Sequence, residues 1–204
     1  MPNQHYYSNR PETGHDRRKL KTELRGHPFT FISDAGVFSK SGIDYGSKVM
    51  IEALEFSAEA QVLDVGCGYG PIGLAAAVIA SAGHVTMVDV NSRAVELAKE
   101  NAALNGISNV TILESDLFAA VKGKSFDIVL TNPPIRAGKE TVHTIFEEAY
   151  EHLRDQGELW IVIQKKQGAP SARAKLESLF QEVEEVTKDK GYRIIRARKI
   201  SSQS

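Results

Sequence analysis

One cysteine in 204 residues leaves no partner for an internal disulfide, and Cys67 has no Cys or His companion at metal-ligand spacing. A disulfide scaffold is excluded and a structural metal is not expected. No apolar run approaches the roughly 18 residues that cross a bilayer, and the opening MPNQHYYSNRPETGHDRRKLK lacks the apolar centre of a secretory signal. A cytoplasmic protein with no membrane contact is therefore expected. Excess charge is also missing: 25 Lys and Arg stand against 26 Asp and Glu, so no net field announces a polyanionic partner. The cations are unevenly spread, with basic stretches at 17–25 and 193–199. Each reads as a solvated face unless chemistry elsewhere supplies a reason for RNA. Repeats and low-complexity segments are absent, and 42% hydrophobic content fits one large domain better than two small ones.

From residue 60 onward, short apolar runs alternate with helix-length patterned segments, as in an α/β sheet covered on both faces. Strands are expected at 61–65, 84–90, 109–114, 126–130 and 158–164. Helices are expected at 71–81, 92–104 and 140–153, the first with Pro in its opening turn and the second ending at an Asn-Gly stop. After a helix near 171–180, segments 183–188 and 192–200 flank Lys190-Gly191 and read as an antiparallel hairpin. The expected fold is a Rossmann-like, seven-stranded, mostly parallel sheet with a C-terminal antiparallel hairpin. Residues 1–55 are less regular, with a strand at 29–33, a loop at 36–40 and a helix at 44–54. They are read as an N-terminal extension packed over the ligand edge of a catalytic domain at 56–204.

The densest local signal is Val62-Leu63-Asp64-Val65-Gly66-Cys67-Gly68-Tyr69-Gly70, a strand running into alternate glycines and then a helix. Glycines permit positive φ and close approach of backbone to ligand, and the helix start offers unpaired N–H groups. Gly68, Gly70 and Gly73 satisfy the G-x-G-x-x-G of dinucleotide sites, with Asp89 about 20 residues on. That fingerprint, however, wants its first glycine directly after the strand, where Gly66 stands, and Pro71 occupies the position five later. The better fit, Asp64-x-Gly66-x-Gly68-x-Gly70, resembles the cofactor motif of class I S-adenosylmethionine-dependent methyltransferases. The resemblance implies that Asp64 lies near the methionine amine and that Gly66, Cys67, Gly68 and Gly70 border the methionine and ribose. A carboxylate suits a cofactor that carries an ammonium and no pyrophosphate. Cys67 reads as a small turn residue, not a nucleophile. Asp89 can accept from ribose hydroxyls with Val90 on the adenine, and Asp116 can accept from the adenine amine with Leu117 on the ring. Taken singly, each Asp also reads as a cap or loop residue.

Thr131-Asn132-Pro133-Pro134-Ile135 follows the fourth strand and resembles the Asn-Pro-Pro-aromatic motif of methyltransferases acting on planar amines. A planar amine is a poor nucleophile because its lone pair is delocalised, so its hydrogens must be held by acceptors. The Asn132 side-chain oxygen and the Pro133 carbonyl can serve, and Pro133 and Pro134 stiffen the segment. Ile135 departs from the motif, which leaves Ile135 or an aromatic such as Phe38 to pack on the acceptor.

Gly36-Val37-Phe38-Ser39-Lys40, then Asp44-x-Gly46, resembles the region before the cofactor motif in small-subunit ribosomal-RNA guanine-N2 methyltransferases. This resemblance spans nearly the whole chain. It implies that Phe38 and Asp44 lie close to S-adenosylmethionine, that Arg136 and Lys139 face an anionic substrate, and that the partner is ribosomal RNA or the small ribosomal subunit. Arg17, Arg18 and Lys19 are further candidates for phosphate contact. Members of that family can carry an additional amino-terminal domain; the sequence is read as the catalytic-type half alone, and substrate docking is then expected from the extension or the basic stretches. Three other readings stay open: methylation of a protein glutamine amide, a silent methyltransferase fold that only binds RNA, and a small-molecule methyltransferase. A monomer or weak dimer is expected.

Overall fold

A computed structural model describes residues 11–201. The sheet core follows the hydrophobic pattern closely. Strands β3 (Gln61–Val65), β4 (His84–Asp89), β5 (Val110–Glu114), β6 (Phe126–Thr131) and β7 (Leu153–Gln164) alternate with helices α2 (Pro71–Ile79), α3 (Ser92–Leu104) and α4 (Lys139–His152). Helix α5 (Ala169–Leu179) leads into β8 (Glu182–Asp189) and β9 (Tyr192–Arg198). The seven strands lie in the order β5-β4-β3-β6-β7-β9-β8. The first five pair in parallel, and β9 runs antiparallel to both β7 and β8. This is the Rossmann-like sheet with a terminal hairpin that the sequence pattern implies.

Both faces are covered, which is why the strands are nearly all apolar. Successive residues feed opposite cores: Val62 and Leu63 on β3, Leu130 and Val129 on β6, Val162 and Ile161 on β7. The first of each pair packs with residues of α1 (Tyr45–Ala53), α2 and α3, the second with α4 and α5. The chain runs outward from β3 through β4 to β5, then returns to place β6 on the other side of β3. The crevice at that reversal, beyond the carboxyl ends of the strands, is where open α/β sheets bind ligands.

The amino-terminal part is more regular than its sequence suggests. Residues 18–24, within the stretch noted above only for its charge, form β1 (Arg18–Leu24), paired antiparallel to β2 (His27–Ser33) through a turn in which Arg25 and Gly26 both have positive φ. The outer edge of β2 is satisfied by two asparagines one turn apart, Asn101 on α3 and Asn105 at its C-cap. Asn101 accepts from the Ile32 N–H at 2.7 Å and donates to its carbonyl at 3.0 Å; Asn105 does the same for Thr30 at 3.0 and 2.8 Å. Two side-chain amides thus stand in for a strand along β2, the strand that leads into the 36–44 segment.

Among the described residues no helix is long and apolar enough to cross a membrane.

Candidate active site

A cavity of about 630 Å³ opens at the crevice, within the range of small-molecule sites. The glycine turn forms its floor. Gly66 and Cys67 both donate to the Val88 carbonyl, at 2.9 and 3.0 Å, which ties the turn to the end of β4. Gly66 and Gly68 have φ of 76° and 56°, and a Cβ at either would meet nothing within 4 Å. Glycine is therefore needed there for backbone conformation, and it leaves the cavity side open. Gly73, by contrast, lies within α2, and a Cβ there would lie 2.7 Å from three atoms of Met87. It serves helix-to-strand packing, which removes the third glycine of the dinucleotide reading from the ligand.

Four of the cofactor candidates sit at strand ends on the cavity wall. The Asp89 carboxylate accepts from Gly68 and Asn91 N–H groups, each at 2.8 Å, and still has lone pairs for a ligand hydroxyl. Burial raises its pKa, with those backbone hydrogen bonds pulling the other way. Val90, Asp116 and Leu117 line the same wall. The Ser115 hydroxyl donates to the Leu117 carbonyl and accepts from Ala120, holding Leu117 at a φ of 50°.

Asp64 is placed differently. It is 1% exposed, lies behind the turn and outside the cavity wall, and neither carboxylate oxygen has a hydrogen-bond partner among the described residues. Burial, reinforced by the Asp89 charge, pushes its pKa up to about 8, while the Gly73 N–H pulls weakly the other way without making a full hydrogen bond. Gly70 is likewise off the wall, as the left-handed N-cap of α2. Burial raises the pKa of the Cys67 thiol on the wall, helped by Asp89 and Asp64, which suits a packing residue and not a nucleophile.

On the opposite side, Asn132 at the end of β6 meets the start of α1. Its amide nitrogen donates to the Asp44 carboxylate and to the Ser47 hydroxyl, both at 3.1 Å. The same Asp44 oxygen caps α1 by accepting from the Ser47 N–H at 3.0 Å. An ionised carboxylate only accepts, so the NH₂ must face it and the Asn132 oxygen is left for the cavity. The Pro133 carbonyl already accepts from Ile135 at 2.9 Å, which leaves it one further lone pair. Ile135 lines the wall and packs on the core beneath α4. Phe38 lines it too, 44% exposed. Arg136 is exposed at the rim; Lys139 is exposed but off the wall. Arg17 precedes β1, Arg18 opens it, and neither reaches the cavity: they pair with Glu100 and Asp16.

Several lining residues escaped the sequence reading. Ser47 carries a weak signal, three residues after a capping Asp. Gln164 ends β7 and was findable by the rule that located Asp89 and Asp116. Tyr192 begins β9, and an antiparallel strand begins where its parallel neighbours end; in register it faces Gln164. Tyr69 is buried under Phe31, and its hydroxyl lies 3.3 Å from the carbonyls of both Ser39 and Gly42, tethering the segment that carries Phe38.

The charge of the cavity decides what it can hold. Asp44, Asp89 and Asp116 line it, Asp64 lies just behind, and among the described residues Arg136 at the rim is the only lysine or arginine on the wall. Such a cavity repels a pyrophosphate and attracts a cation bearing hydroxyls.

The methyltransferase small domain profile matches residues 28–196. The uncharacterised protein YbxB of Bacillus subtilis is 55% identical, over 97% of this chain and 99% of that protein. Ribosomal RNA small subunit methyltransferase C of Citrobacter koseri is 36% identical over 72% of this chain and 44% of that protein, so the chain spans less than half the length of that relative. Among solved structures, the Thermus thermophilus 16S rRNA guanine-N2 methyltransferase RsmC, in complex with AdoMet and guanosine, aligns with a TM-score of 0.81 at 26% identity, over 90% of this chain and 50% of that one.

Proposed function

The chain belongs to the methyltransferase small domain family, and from that premise we propose that it methylates the exocyclic amine of a guanine in small-subunit ribosomal RNA. The cofactor is S-adenosylmethionine, which supplies an electrophilic methyl group on a sulfonium; the acidic cavity, with the unpartnered Asp64 carboxylate behind its glycine turn, fits the cofactor's positive charge. In this reading Asp89 takes the ribose hydroxyls, Asp116 and Leu117 the adenine, and Val90 packs on its face. Gly66, Cys67, Gly68 and Gly70 shape the turn around the methionine portion. Residues 1–55 act as an extension that completes the catalytic domain of 56–204, because Phe38 and Asp44 line the cavity.

The observation that carries the proposal is the fixed amide of Asn132. With both its donors engaged by Asp44 and Ser47, its oxygen is free to accept an N–H of the target amine. The remaining lone pair of the Pro133 carbonyl takes the second N–H. Held this way, the nitrogen lone pair is turned towards the methyl group, and positive charge developing on nitrogen is met by two aligned dipoles. Bound S-adenosylmethionine would supply the methyl to this nitrogen and leave as the neutral thioether, while Asn132 and Pro133 hold the nitrogen's protons, one of which passes to water after transfer, so no strong base is required. Ile135 supplies an apolar face to the base.

The test is transfer of labelled methyl from S-adenosylmethionine to naked 16S rRNA, small ribosomal subunits and a release-factor protein in parallel, with Asn132→Ala as control. Label recovered as N2-methylguanine and lost in the variant supports the proposal. Label only in protein moves the substrate to a glutamine amide, and no label despite cofactor binding leaves a silent fold.

A further inference from the structure

Among the described residues, exposed cations without an acidic partner include Lys19, Lys21, Lys122 and Lys124 away from the cavity, and one group beside it. The β8–β9 hairpin is rich in arginine, yet Arg193 pairs with Glu185, Arg196 with Glu158 and Glu184, and Arg198 with Glu158 and Glu182. Lys199 turns its ammonium to the Tyr150 and Leu153 carbonyls. On the amino-terminal side Arg17 pairs with Glu100, and Arg18 and Lys40 both pair with Asp16. The arginines of the 193–199 stretch, and Arg17 and Arg18 of the 17–25 stretch, are thus paired with neighbouring acids, while Lys19 and Lys21 are exposed on β1, away from the cavity.

Arg136 and Lys139, just after β6, and Lys165 and Lys166, just after β7, are exposed and have no acidic side chain in ion-pairing distance among the described residues. Because β6 and β7 are adjacent and parallel, the two segments leave the sheet side by side at its carboxyl edge. Gln164 and Gln167 line the cavity, and Lys165 and Lys166 lie between them in the chain. The acidic interior makes this placement matter. A base entering past Asp44 and Asn132 cannot bring its phosphates inside, so the backbone must stay at the rim, where only rim cations can meet it.

We propose that Arg136, Lys139, Lys165 and Lys166 form the track that grips the phosphates of the single-stranded RNA flanking the target base. This rests on the reading of the substrate as RNA. Sequence recognition is then left to the cavity, and the track supplies position and salt-dependent affinity.

The experiment compares Lys165→Ala/Lys166→Ala with Lys122→Ala/Lys124→Ala, a charge-matched pair exposed just before β6, at the opposite edge of the sheet. Binding of a fluorescein-labelled single-stranded oligoribonucleotide is titrated across salt concentrations, and S-adenosylmethionine binding by calorimetry serves as the control for folding. Each phosphate contact on a single strand contributes about 0.7 to the slope of log affinity against log salt. The 165/166 pair should therefore lower the slope by about 1.4 and weaken binding several-fold at low salt, with cofactor affinity unchanged and the 122/124 pair behaving as wild type. A wild-type slope in the 165/166 pair, or an equal loss in the 122/124 pair, overturns the track while leaving RNA as the substrate. Failure of the RNA reading looks different: the wild-type protein itself shows no salt-dependent RNA binding and no label in RNA, and the track falls with it.

Discussion

The side-chain amide of Asn132 donates to the Asp44 carboxylate across 3.1 Å, joining residues 88 positions apart in the chain. One carboxylate oxygen thereby does two jobs: it caps α1 and it sets which way the Asn132 amide faces. A one-turn shift of α1 would undo both.

Asp44→Ser separates the two jobs. Serine is as good a cap as aspartate, so the melting temperature should change little. Its shorter hydroxyl cannot reach Asn132, and the remaining partner, the Ser47 hydroxyl, can donate as well as accept and so does not fix which way the amide faces; kcat should fall about 10- to 100-fold, as for a displaced positioning group. Asn132→Ala, which removes the acceptor itself, should lose about 100- to 1,000-fold. Steady-state methyl transfer with thermal melts on both variants checks this. Full activity in Asp44→Ser would show that Asn132 keeps its orientation unaided.

The sheet was legible because its strands are buried on both faces, and continuous apolar runs such as Val62-Leu63 or Leu159–Ile163 have few other uses. Ser92–Leu104 was readable to the residue because both ends are marked, by Asn91 capping one end as it accepts from Arg93 and Ala94 and by the Asn-Gly stop at the other. The glycine turn and Asn132 were legible as motifs. Strand β1 was not, because its alternation, Leu20-x-Thr22-x-Leu24, is diluted by solvent-facing lysines that read equally well as a charged surface. Tyr192 was hidden for a topological reason: it reaches the cavity beside Gln164 only because β9 runs antiparallel to β7. The burial of Asp64 was also invisible, since the motif gives its type and not its side chain's depth.

Gly46 is the close approach of α1 to the sheet. A Cβ there would lie 2.5 Å from Cδ1 and 2.7 Å from Cε1 of Tyr192, and 3.0 Å from Val162. Gly46→Ala should therefore destabilise by about 1–3 kcal/mol, as overpacking does, lowering the melting temperature by about 2–4 °C per kcal/mol for a chain of this size. Since Tyr192 and the start of α1 both line the cavity, methyl transfer should fall as well. Calorimetric melts and activity measured together test it; a variant as stable as wild type would mean Tyr192 swings aside without cost.

Tyr69→Phe removes a hydroxyl whose one proton is shared between the Ser39 and Gly42 carbonyls, both 3.3 Å away. The ring stays buried against Phe31, so stability should drop only by about 1 kcal/mol, the usual net value of one hydrogen bond. The effect belongs on the tethered segment: faster amide exchange at residues 38–42 and a several-fold higher KM for S-adenosylmethionine, with kcat nearly retained. Unchanged exchange at those amides would show that Asn91 and Arg93, which hold the Gly36 and Ala35 carbonyls, fix the segment without Tyr69.

Asp64 makes the protein's stability depend on pH in an unusual direction. Its pKa is raised to about 8 in the fold by burial and by Asp89, against about 3.9 in an unfolded chain. Below pH 4 both states are protonated and the group contributes nothing. Between pH 4 and 8 the folded state holds a proton that the unfolded state has released, so stability falls as pH rises, by at most about 1.4 kcal/mol per unit, and levels off above 8. In Asp64→Asn this dependence disappears, whatever the variant's absolute stability. The wild-type melting temperature should therefore decline relative to the variant's from pH 5 to pH 8. Bound S-adenosylmethionine, whose positive charge favours the ionised carboxylate, should reverse most of that decline and release a proton on binding, measurable as a buffer-dependent heat. Parallel stability profiles for the two proteins would mean that Asp64 is already ionised in the fold, held by a partner other than the cofactor.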